Sequence, residues 1–322
     1  MSSEKTRGTG RDQAAYGGEG WSPRTRALRQ EIGTVWGACG LSTEWGRLRA
    51  VLLHRPGEEL EGLSDPNRAL MIELPDVIRA REQHDGMARA YQDVGVAVHY
   101  VEPGDISLPN MMYVADMFFM TPEGAILGRA ASTVRAGEER HIACRLSALG
   151  IPILRTVRGG GVFEGADAMW VDDRTVLLAT GLRTNEEGAE QVSALLKEMG
   201  VEVIRVRLPH GTMHLMGVLR FVDRDMAIVW PGLVPHAAVE ALRRRGFEVL
   251  FIPDVQEAVS GMALNFVTLA PREILMPTGN PVNQAFYEQA GIACRTVAVD
   301  ELHKCAGGVA CMTGILERDQ TC

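Results

Sequence analysis

Four stretches of this chain follow one pattern: a short apolar strand, a polar turn, a second apolar strand, and a closing glycine. They run over residues 117–128, 168–181, 218–232 and 266–279, and their last residues, Gly128, Gly181, Gly232 and Gly279, stand 53, 51 and 47 residues apart. A near-constant period of this length marks a chain made of copies of one supersecondary unit, none of which can bury its hydrophobic face alone. Residues 47–57 read as a diverged first copy. A helical stretch and a further β-rich strand follow each hairpin. The clearest helix is expected over residues 184–199. There Thr184 and Glu187 read as a capping box, Ala189, Val192, Leu195, Leu196 and Met199 share one face, and Gly200 ends the run. Residues 201–207 read as the strand that follows. A strand-strand-helix-strand unit repeated about five times should close into a ring around an axis.

Such a ring would bring the loops that enter each unit to its centre. Asp116 precedes one hairpin, Asp167 another and His214 a third, so the three are expected at roughly equivalent positions; Glu164 stands just before Asp167. Cys311, within Gly307-Gly308-Val309-Ala310-Cys311-Met312, follows the last unit. A thiol, an imidazole and carboxylates are the groups that covalent catalysis on a carbon–nitrogen centre needs. The thiol attacks as thiolate, and a histidine oriented by a carboxylate handles the leaving group's proton. Each residue alone has a plainer reading. A cysteine in an apolar context is ordinarily inert, His210 rivals His214 from four residues upstream, and aspartates before strands are common turn residues.

Composition narrows the function. The chain has 322 residues with 46% apolar and 23% charged content, enough for one large globular domain. A net charge of −8 and a pI near 5.6 argue against a nucleic-acid partner. The six cysteines show no zinc-pair spacing. No run approaches the roughly 18 apolar residues that span a bilayer, and the N-terminus carries no apolar leader, so the chain reads as cytoplasmic with reduced thiols. Residues 1–40, rich in Gly, Ser, Arg and Glu, read as a flexible extension with a helix around 24–32.

Residues 42–48, 53–61 and 109–116 resemble the corresponding motifs of arginine deiminases. The segments Gly181-Leu182-Arg183-Thr184-Asn185, His214-Leu215-Met216 and 307–312 look closer to the dimethylargininases. Over most of its length, from Ser42 to Met312, the chain thus resembles the guanidino-group modifying enzymes: arginine deiminases, dimethylarginine dimethylaminohydrolases and arginine amidinotransferases. The resemblance implies a five-bladed α/β propeller (pentein) of ββαβ units, with residues 41–322 as a single catalytic domain. It implies Cys311 as nucleophile, His214 as general acid/base, and Glu164 as a carboxylate that supports them in the guanidinium pocket. Asp116 and, less directly, Asp167 would hold the guanidinium group. Arg183, Arg135 and Asn110 would bind the amino-acid end, since a planar bidentate donor fixes a carboxylate best. No metal or organic cofactor is implied. The expected partner is a small-molecule guanidino substrate, with neither nucleic acid nor membrane; a homo-oligomer is left open.

The implied reaction is hydrolysis of the guanidine C–N bond of arginine or an N-methylated arginine, through a thiouronium on Cys311, to citrulline or a related ureido product. Amidino transfer to an amine and a noncatalytic guanidino-binding role stand as the alternatives. Met216 replaces an aspartate of the deiminases and Ala306 an arginine, while Asn110 and Ala115 stand where dimethylargininases often carry acidic residues.

Overall fold

Strands β1 (Leu48–Leu53) and β2 (Ala97–Tyr100) come first along the chain, and four triplets follow. These are β3 (Phe118–Thr121), β4 (Gly124–Leu127) and β5 (Ile153–Thr156); β6 (Ala168–Asp172), β7 (Thr175–Thr180) and β8 (Glu202–Arg207); β9 (Leu219–Asp223), β10 (Met226–Val229) and β11 (Glu248–Phe251); and β12 (Val267–Ala270), β13 (Glu273–Pro277) and β14 (Ala293–Val297). A last strand, β15 (Gly314–Arg318), follows. The computed structural model describes residues 10–102 and 108–320, so the first nine residues of the expected extension lie outside the described residues.

Each triplet is one three-stranded sheet. Its first two strands pair antiparallel and its third runs parallel to the second. Residues 47–57 depart from the hairpin reading. β1 stands alone there and takes its antiparallel partner, β15, from the far end of the chain, with β2 as its parallel neighbour. The stretch after β1, His54-Arg55-Pro56-Gly57-Glu58-Glu59, offers no second apolar strand. Five sheets of the same topology result.

A parallel third strand requires a crossover, and a helix supplies it. After a one-turn helix α1 (Leu28–Glu31) come α2 (Val77–Gln92), α3 (Glu138–Ala148), α4 (Glu186–Glu198), α5 (His236–Arg244), the short α6 (Val255–Ser260), α7 (Pro281–Gln289), α8 (Asp300–His303) and α9 (Val309–Met312). Of these, α2, α3, α4, α5 and α7 lie between the second and third strands of the five sheets. The apolar face expected of α4 is buried at Ala189, Val192, Leu195 and Leu196. Its start is two residues later than expected, because Asn185 caps it by accepting from Gly188 N at 2.8 Å. The Thr184 hydroxyl is engaged elsewhere, as described below.

Burial grades across each sheet. β3, β4, β7 and β10 are buried at every residue, whereas β5, β8, β11 and β14 carry exposed and charged positions at the outer edge. Charged outer edges disfavour pairing with other chains. The buried strands of neighbouring sheets meet: β15 touches β3, β9 touches β12, and β12 touches β1. Trp170 on β6 stacks on Phe119 of β3 at 5.7 Å and donates its indole N–H to Met120 O, joining two sheets. Cys39 and Leu41 are buried in the same core, and Gly37 N donates to Gly150 O at 2.9 Å. Among the described residues no helix is long and apolar enough to cross a membrane.

Candidate active site

A 3-10 turn leads into three of the hairpins: Val114–Asp116 before β3, Gly165–Asp167 before β6 and Leu215–Gly217 before β9. Asp116 and Asp167 close their turns, whereas Glu164 and His214 stand immediately ahead of theirs. His214 therefore matches Glu164, not Asp116 as the spacing suggested. The turns pack on one another because Gly165 has no side chain. A Cβ there would lie 2.1 Å from Phe118 O and 2.7 Å from Ala115 O, both backbone atoms. That close approach sets Glu164 beside Asp116.

His214 Nε2 lies 2.7 Å from Glu164 Oε2 and 3.7 Å from Asp116 Oδ1, with all three residues buried. His210, the rival, is exposed. Burial alone would lower the imidazole pKa. Asp116, Glu164 and Asp167 outweigh it and raise His214 to about 9, so the ring is protonated at neutral pH. Burial likewise works to raise Glu164, but the His214 hydrogen bond and the charges of His214, Arg135 and Arg183 hold its carboxyl well below the usual range. Asp116 Oδ1 is buried and has no hydrogen-bond partner among the described residues. A buried carboxylate oxygen in that state is costly and calls for a donor.

Two of the expected substrate contacts are engaged by protein groups. Arg135 is 3% exposed and committed to protein acceptors: Nη1 to Asp116 Oδ2 at 2.5 Å, Nε and Nη2 to Glu138 Oε2 at 3.0 and 2.8 Å, and Nη2 to Tyr113 O at 3.2 Å. It positions Asp116 and does not present a free fork to a substrate carboxylate. Asp167 is fully buried, its Oδ2 accepting from Thr184 Oγ1 at 2.7 Å and its Oδ1 from Leu215 N at 3.1 Å. With both oxygens occupied by protein donors it anchors the His214 turn; burial pushes its carboxyl up to about 6. The Thr184 hydroxyl also accepts from Glu164 N at 3.3 Å, which is why it does not cap α4. Arg183 touches Glu164 Oε1 only at 3.5 Å, so most of its guanidinium is left for a ligand. Asn110 donates to Ala69 O at 2.8 Å and lines the same pocket as Arg183 and Asp116.

Cys311 sits in α9, and the two glycines ahead of it permit its approach. A Cβ on Gly307 would strike the Tyr113 ring at 2.1 Å, and one on Gly308 would come 2.9 Å from Asn265 Oδ1. Asn265 is the residue the sequence reading missed. Its Oδ1 accepts from Ala310 N at 2.8 Å and Cys311 N at 3.3 Å, which turns its Nδ2 toward Cys311 Sγ, 3.0 Å away. The signal lay in the repeat: Asn265 precedes the fourth hairpin as Asp116 and Asp167 precede theirs. Burial and Asp116 push the thiol up, while the Asn265 hydrogen bond, the Gly308 backbone and Arg220 oppose this without reversing it.

Two cavities meet at Cys311 and His214. One, of about 20 Å³, includes the polar side chains of Asn110, Asp116, Arg135 and Arg183; the other, of about 210 Å³, is largely apolar. Asp116, Glu164 and His214 offer ligand atoms within 4.8 Å of one another. A dication there would face the fixed charges of Arg135 and Arg183, bonded to two of these three, and a protonated imidazole.

Comparison with known proteins shows the family. The sequence profile described as "N,N dimethylarginine dimethylhydrolase, eukaryotic" matches residues 76–317. The N(G),N(G)-dimethylarginine dimethylaminohydrolase of Pseudomonas aeruginosa is 28% identical over 239 residues, 74% of this chain and 89% of that protein. The one from Mycobacterium tuberculosis is 29% identical over 240 residues, covering 74% and 76%. A solved structure of a mutant Pseudomonas aeruginosa enzyme complexed with citrulline superposes with a TM-score of 0.71 at 25% identity, covering 84% of this chain and all of that one. An amidinotransferase of saxitoxin biosynthesis from Microseira wollei shares the fold with a TM-score of 0.74 at 14% identity, over 88% and 98% of the two chains. By family and fold the chain is a guanidino-group modifying enzyme of the hydrolase type. Within that class, the chain belongs to the N,N-dimethylarginine dimethylhydrolase family.

Proposed function

We propose that this chain is a cysteine hydrolase of N-substituted arginine, working through a thiouronium on Cys311 at the centre of a five-bladed α/β propeller. Five sheets of one topology, joined by the β15–β3, β9–β12 and β12–β1 contacts, the Phe119–Trp170 stack and the shared core of Met169, Leu177 and Phe221, with the first completed by β15, support the ring. The observation that carries the chemistry is the unpartnered Asp116 Oδ1 beside His214 Nε2, in a pocket that Cys311 also lines. A guanidinium N–H satisfies that oxygen, and Arg183 and Asn110 lie along the pocket for the amino-acid end. The relatives named as dimethylarginine dimethylaminohydrolases support the same substrate class.

The sequence of steps follows from the charges. A bound guanidinium offsets Asp116, the carboxylate that helps push the thiol up, and so favours release of the thiol proton to solvent, His214 being already protonated. Sγ adds to the guanidine carbon, now aligned by Asp116, and forms the C–S bond. The C–N bond breaks with its electron pair moving to nitrogen, which takes the proton held on His214 and leaves as an amine. Neutral His214 then accepts a proton from water as the hydroxide adds to the same carbon. The C–S bond breaks, thiolate returns, and the last proton departs with the ureido product. Glu164 holds the ring in place through both transfers.

A mass-spectrometric assay with arginine, monomethylarginine and dimethylarginine, with and without glycine or lysine as acceptor, tests this. Citrulline formed without an acceptor, and lost by about 10³-fold or more in Cys311→Ser, is the expected result. Ornithine appearing only with an acceptor would establish amidino transfer instead.

A further inference from the structure

The steps above leave one fully buried carboxylate unused: Glu138, the first residue of α3. Arg135 ends the 3-10 turn Thr133–Arg135, and Gly137, at a φ of 98°, breaks the backbone between that turn and α3. Glu138 Oε2 accepts from both Nε and Nη2 of Arg135, at 3.0 and 2.8 Å. That leaves Nη1 for the site, 2.5 Å from Asp116 Oδ2 and 3.7 Å from Glu164 Oε2. The same loop supplies Ala131 N to Glu164 Oε1 at 3.1 Å, so it braces both carboxylates that face His214. Glu138 Oε1 has no hydrogen-bond partner among the described residues. A buried carboxylate with an idle oxygen serves stability worse than an apolar residue of similar size, so its presence calls for another role.

Charge supplies that role. Asp116, Glu138, Glu164 and Asp167 are the carboxylates of this buried network, and Arg135, Arg183 and protonated His214 are its cations. One negative charge is left over, and a guanidinium carries the single positive charge that matches it. Without Glu138 the network would be neutral, and Arg135 would oppose an incoming guanidinium with its full charge. Burial, with smaller pushes from Asp116 and Glu164, raises Glu138 to about 7 against the pull of Arg135, so it is ionised at pH 8. Resting on the hydrolase reading above, we propose that Glu138 is a positioning residue for guanidinium recognition. It holds Arg135 from behind and offsets its charge, which leaves Asp116 acting as a carboxylate toward both the substrate and His214. Glu138 works through Arg135 and does not line the pocket itself.

Glu138→Gln keeps an acceptor oxygen for Arg135 and removes the charge, whereas Glu138→Asp keeps the charge. Each variant and the wild type are compared by the NMR titration of the His214 imidazole and by KM and kcat for monomethylarginine at pH 8. In Glu138→Gln, His214 is expected to titrate below the wild-type value of about 9, by about half a unit or more, because Arg135 then opposes Asp116 and Glu164 with its full charge. KM should rise about tenfold, more than kcat falls, since the lost attraction acts on bound substrate before any bond changes. Glu138→Asp should stay nearer the wild type in both readouts. If Glu138→Gln does not fold, the double variant Arg135→Met with Glu138→Leu removes the buried pair together. It should move His214 upward, since Asp116 and Glu164 then face the ring with no guanidinium from Arg135 against them. A His214 titration that stays in place, an unchanged KM in Glu138→Gln, or an equal shift in Glu138→Asp overturns the assignment and leaves the hydrolase reading standing. If the wild type makes no citrulline, the hydrolase reading falls, and the NMR titration still decides whether Glu138 sets the charge at His214.

Discussion

At the scale of single residues, the site works by opposed charges held out of water. Asp116, Glu164 and Asp167 keep His214 protonated to about pH 9 despite its burial. The general acid should fail above that, so kcat is expected to fall as pH rises through about 9. Stability follows the same group. Because His214 is raised above its ordinary 6.5, its ion-pair contribution is complete below about pH 6.5 and is lost as pH climbs through about 9. Thermal melts of wild type against His214→Gln across that window should show a drop in Tm only in the wild type. Asn265 acts on the thiol in the opposite sense to Asp116. A hydrogen bond to a charged partner is worth about 1.5–3 kcal/mol, so Asn265→Ala should reduce kcat roughly 10- to 100-fold. It should also move the thiol's ultraviolet titration to higher pH, and Asn265→Asp should move it further by placing a like charge against the sulfur. A thiol titration unchanged in both variants would remove Asn265 from the mechanism.

The elements that matter at the next scale are the 3-10 turns, which carry the carboxylates and the imidazole while the strands behind them supply rigidity. Gly165 lets the second turn lie on the first, and a methyl there would meet backbone oxygens that cannot move aside. Gly165→Ala is expected to cost at least about 2–3 kcal/mol and to depress turnover, because Glu164 is its immediate neighbour. A glycine of the third turn, Gly217, which closes its turn as Asp167 closes the second, is a contrast. A Cβ on Gly217 meets nothing within 4 Å, so Gly217→Ala should alter stability by no more than about 0.5 kcal/mol. Urea unfolding of the two variants side by side checks the pair. If they prove equally stable, close packing of the turns is not what aligns Glu164 with Asp116.

For the whole molecule, the decisive contact is between chain ends. β15 completes the sheet of β1 and β2, and Arg318 at its end is buried with Nη1 donating to Gly46 O and to Thr268 O of β12, each at 2.7 Å. Burial pushes this guanidinium down to about 10, yet it remains charged at neutral pH. Arg318→Leu strips two buried carbonyls of their donor and should cost about 2–5 kcal/mol, read by chemical denaturation. Removing residues 314–322 should leave β1 with an open inner edge and abolish cooperative unfolding. A truncated chain that still melts cooperatively would show that β15 is not needed to hold the first sheet together.

Much of this was legible in the chain before any coordinates, because hydrophobic period and closing glycines are local properties. The four hairpins, the α4 face, and the gathering of Cys311, His214, Glu164 and Asp116 all follow from units that recur about every fifty residues. What could not be read locally was pairing across the chain. The partner of β1 lies more than 250 residues away, and nothing near β1 announces it. The roles of Arg135 and Asp167 were equally hidden, since an arginine or aspartate at a plausible spacing looks the same whether its atoms face a ligand or a buried protein partner. Asn265 shows the boundary most clearly. Its repeat position was visible, but a neutral amide gains meaning only when packing turns its N–H toward a sulfur 46 residues on. Sequence by itself determined the repeating unit and the chemical groups; tertiary structure decided which of those groups remain unpaired, because only packing shows which donors and acceptors have already been satisfied.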